Sequence, residues 1–62
     1  MAPDLAVHAR HLYGHARRWA ASVGIAEQEA HDYAAYFSER YRDGGWSPNH
    51  NDEYRTWRQD AA

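Results

Sequence analysis

The stretch Arg17-Arg18-Trp19-Ala20-Ala21-Ser22-Val23-Gly24-Ile25-Ala26-Glu27-Gln28-Glu29-Ala30 decides the fold of this chain. Gly24 stands between two apolar residues. That is the pattern of a glycine in the left-handed conformation just past a helix, where it lets the following amides bond back to the helix's last carbonyls. Arginines precede this glycine and glutamates follow it. Cations are favoured near the negative end of one helix dipole, and anions near the positive end of the next. A turn this short joins antiparallel neighbours, so the segment predicts a helical hairpin.

Working outward, the periodicity agrees on both sides. At 100° per residue, Leu5, Leu12, Ala16, Trp19 and Val23 fall within about 60°, with Ala9, Ala20 and Tyr13 widening the stripe. Asp4, after Pro3, is placed to accept hydrogen bonds from the first free amides, so helix 1 is expected over about 4–23. On the other side Ala26, Ala30, Tyr33, Ala34, Phe37 and Tyr41 share an arc of about 100°, while Gln28, His31, Ala35, Glu39 and Arg42 face away. Helix 2 is expected over about 26–42, stopped by Gly44 and Gly45. Beyond them, Ser47 before Pro48, or Asn49 with Asp52, can cap a short third helix over about 48–59, whose stripe is Tyr54, Trp57 and Ala61. The expected fold is all-α: one small helical domain over 1–62, a hairpin with a short third helix.

Composition limits what such a chain can bury. Of its 62 residues 44% are hydrophobic, yet 12 are alanine and nine are aromatic, so Leu5, Val7, Leu12, Val23 and Ile25 are the branched aliphatics. With a mean hydropathy of -1.02, burial in a lone chain only narrowly offsets the cost of ordering it, roughly 1.5 kcal/mol per residue. Help from another chain is therefore expected. There is no cysteine, which excludes disulfides, thiolate metal sites and a cysteine nucleophile. Met1-Ala2-Pro3-Asp4 shows neither the basic segment nor the apolar run of a signal peptide, and no stretch approaches the ~20 apolar residues that span a bilayer. A cytoplasmic protein is expected. All seven basic residues are arginine, which with abundant alanine points to GC-rich coding and a bacterial or phage source.

Chemistry finds little support. His8, His11 and His15 share an arc of about 60° on helix 1, and imidazoles at i and i+4 can chelate zinc. Beyond Asp4, whose carboxylate is assigned to the helix cap, no Asp or Glu lies in helix 1 to complete a site, and the arc borders the core stripe, so they read as boundary residues and no metal is expected. His50, beside Asn51 and Asp52, reads as part of a helix start. The hydroxyls of Ser22, Ser38, Ser47 and Thr56 stand in no nucleophile elbow, and His31 and Asp32 point about 100° apart. Gly44-Gly45 leads into Trp46 and not into the Lys-Ser or Lys-Thr of a phosphate loop. No catalytic residue and no cofactor is expected.

Two binding classes remain. Tyr, Trp and Arg dominate binding hot spots, and here they make up 15 of 62 residues. Tyr36 falls about 100° off the helix 2 stripe, beside Arg40, and Val7 lies off the helix 1 stripe. With Trp46 in the glycine loop, these form the candidate interface: Val7, Tyr36, Arg40 and Trp46. The expected function is a non-catalytic protein-protein interaction or regulatory module, binding itself as a homo-oligomer or a larger protein. The alternative is a small nucleic-acid-binding regulator using Arg10, Arg17 and Arg18 on helix 1. Charge disfavours it, because residues 1–23 carry +2 but helices 2 and 3 open with Glu27-Gln28-Glu29 and Asp52-Glu53, which phosphates repel.

Overall fold

A computed structural model describes residues 5–44 and 49–61, except the side chains of 5–7 and 61. Three helices follow in order, α1 (Leu5–Ser22), α2 (Glu27–Arg40) and α3 (His50–Ala61), and no strand occurs among the described residues. α1 and α2 pack closely as the expected antiparallel hairpin, and α3 is the short C-terminal helix. Asp4, Trp46, Ser47 and Pro48, to which the sequence assigns capping and interface roles, lie outside the described residues.

The turn forms as its sequence demands. Gly24 adopts φ +81°, the Ile25 amide donates to the Ala20 carbonyl at 3.0 Å, and the Gly24 amide donates to the Ala21 carbonyl at 3.2 Å. These two bonds are the Schellman arrangement, which satisfies carbonyls the helix would otherwise leave open. Across the turn Arg17 meets Glu27 at 3.6 Å. Ala26 stands at the N-cap of α2 and offers no side-chain cap, so Glu27 and Glu29 in the first turn are what complements the helix dipole.

The hairpin core is made of Leu12, Ala16, Ala20, Ala30, Ala34, Tyr33 and Phe37, all buried. Alanines on facing positions let the two backbones approach, and the two large rings of α2 fill the space that remains. Val23 departs from the expected stripe and is 53% exposed. It follows the last residue of α1, where the chain already turns away, and the half-buried Ile25 takes the inward position after the glycine. Ala26, expected on the α2 stripe, is also exposed, because it precedes the helix. α2 stops at Arg40, two residues before the expected limit. The Tyr41 amide still donates to Phe37, and the Gly44 amide, at φ +104°, donates to the Tyr41 carbonyl at 2.9 Å.

Asn49 caps α3. Its side-chain oxygen accepts from the Asp52 amide at 3.2 Å, while its amide group donates to the Asp52 carboxylate at 2.8 Å. α3 runs back along α2, with the Tyr41 hydroxyl donating to Glu53 at one end and Arg58 meeting Glu29 at 3.6 Å at the other. No helix among the described residues is long and apolar enough to cross a membrane.

Candidate functional site

The junction between α3 and the hairpin is built from rings. At 100° per residue, His50, Tyr54 and Trp57 share one face of α3. That face meets Tyr33, whose ring is fully buried and lies 5.4 Å from Tyr54, 5.7 Å from Trp57 and 5.7 Å from Trp19. The Tyr33–Tyr54 pair is edge-to-face, the arrangement in which the positive rim of one ring meets the negative face of the other. His50 is 8% exposed, stacked on Trp19 at 5.3 Å and 4.7 Å from Phe37. The Tyr33 hydroxyl lies 2.8 Å from His50 Nδ1 and donates to it when the imidazole is neutral and carries its proton on Nε2.

Electrostatics follow from this burial. Desolvation pushes the Tyr33 phenol well above the ordinary tyrosine range, with Glu53 adding to the effect, so this hydroxyl keeps its proton. Burial lowers the His50 imidazole below its ordinary value; His15 of α1 pushes the same way and Glu53 opposes. Tyr41 is raised chiefly by its hydrogen bond to Glu53, and Tyr54 by desolvation with a hydrogen bond to Glu29.

Three arginines lie over tyrosines, one beside the α1–α2 turn and two at the α3 junction. The guanidinium of Arg17 lies over Tyr13 at 5.7 Å, that of Arg40 over Tyr41 at 5.6 Å and that of Arg58 over Tyr54 at 5.8 Å. Two of these pairs are spaced i, i+4 on one helix, which brings side chains onto the same face. Tyr13, Trp19, Tyr36, Tyr54 and Trp57 are all half-buried. At the α3 junction, the half-buried rings of Trp19, Tyr36, Tyr54 and Trp57 thus lie near the exposed Arg40 and Arg58.

A shallow open cleft of about 470 Å³ lies beside the turn, lined by Arg17, Glu27, Gln28 and His31. At its wall the Tyr13 hydroxyl accepts from Arg17 at 2.8 Å and lies 2.6 Å from His31 Nδ1. Arg17 is thus shared between Tyr13 and Glu27. The cleft presents both charges to solvent and holds no buried polar group to orient a ligand.

The candidate interface residues are placed as follows. Tyr36 is half-buried, with its ring 6.3 Å from Trp57 and 6.5 Å from Tyr33, so its position off the hairpin stripe is the position that faces α3. Arg40 is exposed and covers Tyr41, not Tyr36. Val7 lies in α1 with its side chain outside the described residues, as is all of Trp46. Of the basic candidates, Arg10 and Arg18 are exposed, Arg18 lies 3.4 Å from His15 Nδ1, and Arg17 is engaged as above. No group of three or more side chains able to hold a metal occurs among the described residues.

Two features escape a reading of the sequence. The Tyr13–His31 pair joins residues 18 apart, which no local spacing reveals. His50 was within reach: extending the Tyr54, Trp57 stripe back by one turn lands on it, but histidine at a helix start reads first as a polar terminus. Comparison with known proteins finds no match, whether to a family model, a curated protein or a solved structure.

Proposed function

We propose that the protein is a non-catalytic interaction module of the cytoplasm, which buries its ring-and-arginine surface against another protein chain, most simply a second copy of itself. The observation that carries this reading is the two Arg–Tyr pairs at the α3 junction, Arg40 over Tyr41 and Arg58 over Tyr54, near the half-buried Trp19, Tyr36 and Trp57. An arginine laid on a ring has already lost much of its side-chain freedom, and the ring edges offer apolar area at small entropic cost. Both lower the penalty of forming an interface. A core so rich in alanine gives the chain a second reason to associate, since association adds burial that the monomer lacks. The basic face of α1 favours nucleic acid less, because Arg17 is tied to Glu27 and Tyr13.

Sedimentation from low to high micromolar concentration tests the reading. Self-association that rises with concentration and changes little with added salt is the expected result. Arg40→Ala, at an exposed position, should weaken it without lowering the unfolding temperature of the dissociated chain; a hot-spot arginine is worth more than ~1 kcal/mol. A monomer at every concentration, with a melting temperature independent of concentration, overturns the self-association. Binding to nucleic acid that weakens steeply with salt would favour the α1 alternative instead.

A further inference from the structure

We infer that the seat of α3 on the hairpin is an acid-sensitive latch: it accepts His50 only as the neutral imidazole, and protonation releases α3 while α1 and α2 stay paired.

The geometry sets the requirement. His50 is the first residue of α3 and the deepest of its side chains, enclosed by Trp19 of α1 and by Tyr33 and Phe37 of α2. Its Nδ1 faces the Tyr33 hydroxyl. With the neutral ring protonated on Nε2, so that Nδ1 accepts from Tyr33, a proton added at Nδ1 would face the hydroxyl's own hydrogen, and the Tyr33 O–H would have to turn away inside a site where Tyr33 is 0% exposed. A buried donor that loses its acceptor keeps its full desolvation cost. Tyr33 cannot help by ionising, since its environment holds the phenol protonated.

The charged and titratable groups facing His50 come from all three helices. His15 on α1 opposes a positive charge there, Tyr33 on α2 supplies the hydroxyl, and Glu53 on α3 favours the charge. Glu53 is itself engaged by the Tyr41 hydroxyl, which draws on its carboxylate. The balance lies against the imidazolium, in the direction that burial sets. Released into water, His50 regains the ordinary histidine value near 6.5. The released state therefore binds the proton more readily than the docked state, and docking weakens as pH falls below that value, by up to tenfold per pH unit.

The same structure says which part lets go. α1 and α2 are joined by close backbone packing and the Schellman turn, which do not involve α3. α3 holds on through His50, Tyr54 and Trp57, with the Tyr41–Glu53 and Arg58–Glu29 contacts at its flanks. An element attached by few side chains opens at lower free energy than the core it rests on.

Amide exchange protection of the full chain, followed by NMR from pH 7.5 to 5 together with the His50 ring resonance, tests the latch. Protection across residues 50–61 should fall as His50 takes up its proton, ahead of the buried segments around Leu12–Ala20 and Ala30–Phe37. In His50→Phe, which keeps a ring but cannot titrate, protection of α3 should not follow pH in this range. Three results overturn the proposal: α3 protection independent of pH, loss at the same pH in all three helices, or the same pH dependence in His50→Phe. Should that variant fail to fold, the first two decide on the unaltered chain alone.

Discussion

Replacing Gly24 by alanine adds a single Cβ to a residue held at φ +81°, and beyond Gly24 and its two chain neighbours no heavy atom lies within 4 Å of where that Cβ would stand. The cost is therefore conformational and not steric crowding from the rest of the fold. An L-residue in the left-handed region costs roughly 1–2 kcal/mol. Gly14 provides the internal control. It lies inside α1, its added Cβ also meets nothing within 4 Å apart from its chain neighbours and the helix's own backbone, and its backbone is helical. There alanine gains about 0.8–1 kcal/mol over glycine. An unfolding entropy of about 2.1 cal/mol/K per residue makes 1 kcal/mol worth about 8 °C in a chain of this length. Thermal unfolding followed by circular dichroism should thus show Gly24→Ala melting about 8–15 °C below the parent and Gly14→Ala about 6–8 °C above it. The same chemical change takes opposite signs because only one of the two glycines is needed for its backbone angle. Shifts of the same sign, or an unchanged Gly24→Ala, would refute the assignment of the turn to the Gly24 Schellman motif.

Two further predictions follow from the ring junction. Phe37→Ala should cost about 3–5 kcal/mol. At about 8 °C per kcal/mol the variant should melt roughly 25–40 °C below the parent, and a melting temperature within ~10 °C of the parent would contradict the placement of Phe37 at the junction. Tyr33, Tyr41 and Tyr54 hold their protons more tightly folded than the ordinary value near 10, so above that pH the folded state binds more protons than the unfolded one and stability falls as pH rises. Ionisation of Tyr33, read as the tyrosinate absorbance that Tyr33→Phe removes, should coincide with loss of helix; ionisation of Tyr33 near pH 10 in folded protein would contradict its burial.

The hairpin was legible from the chain alone because its determinants are local. The Gly24 turn needs only its own φ and the carbonyls of the preceding helical turn, and the stripes of α1 and α2 need only the 3.6-residue period. Even the Arg17–Glu27 contact was implied, since a short turn brings those positions together. The structure departs from the stripes at their ends, at Val23 and Ala26, where the helical period no longer describes the chain. The third helix and its Asn49 cap were legible too; what tertiary structure decided is where α3 docks and what its side chains meet there. Periodicity measures a residue's angle around its own helix; it does not say that a third helix will cover the flank where Tyr36 lies, nor that His50 will be drawn between Trp19 and Phe37. Whether an imidazole is a solvated helix start or a buried, proton-sensitive seat depends on what stands across from it, and that is set by the packing of distant segments.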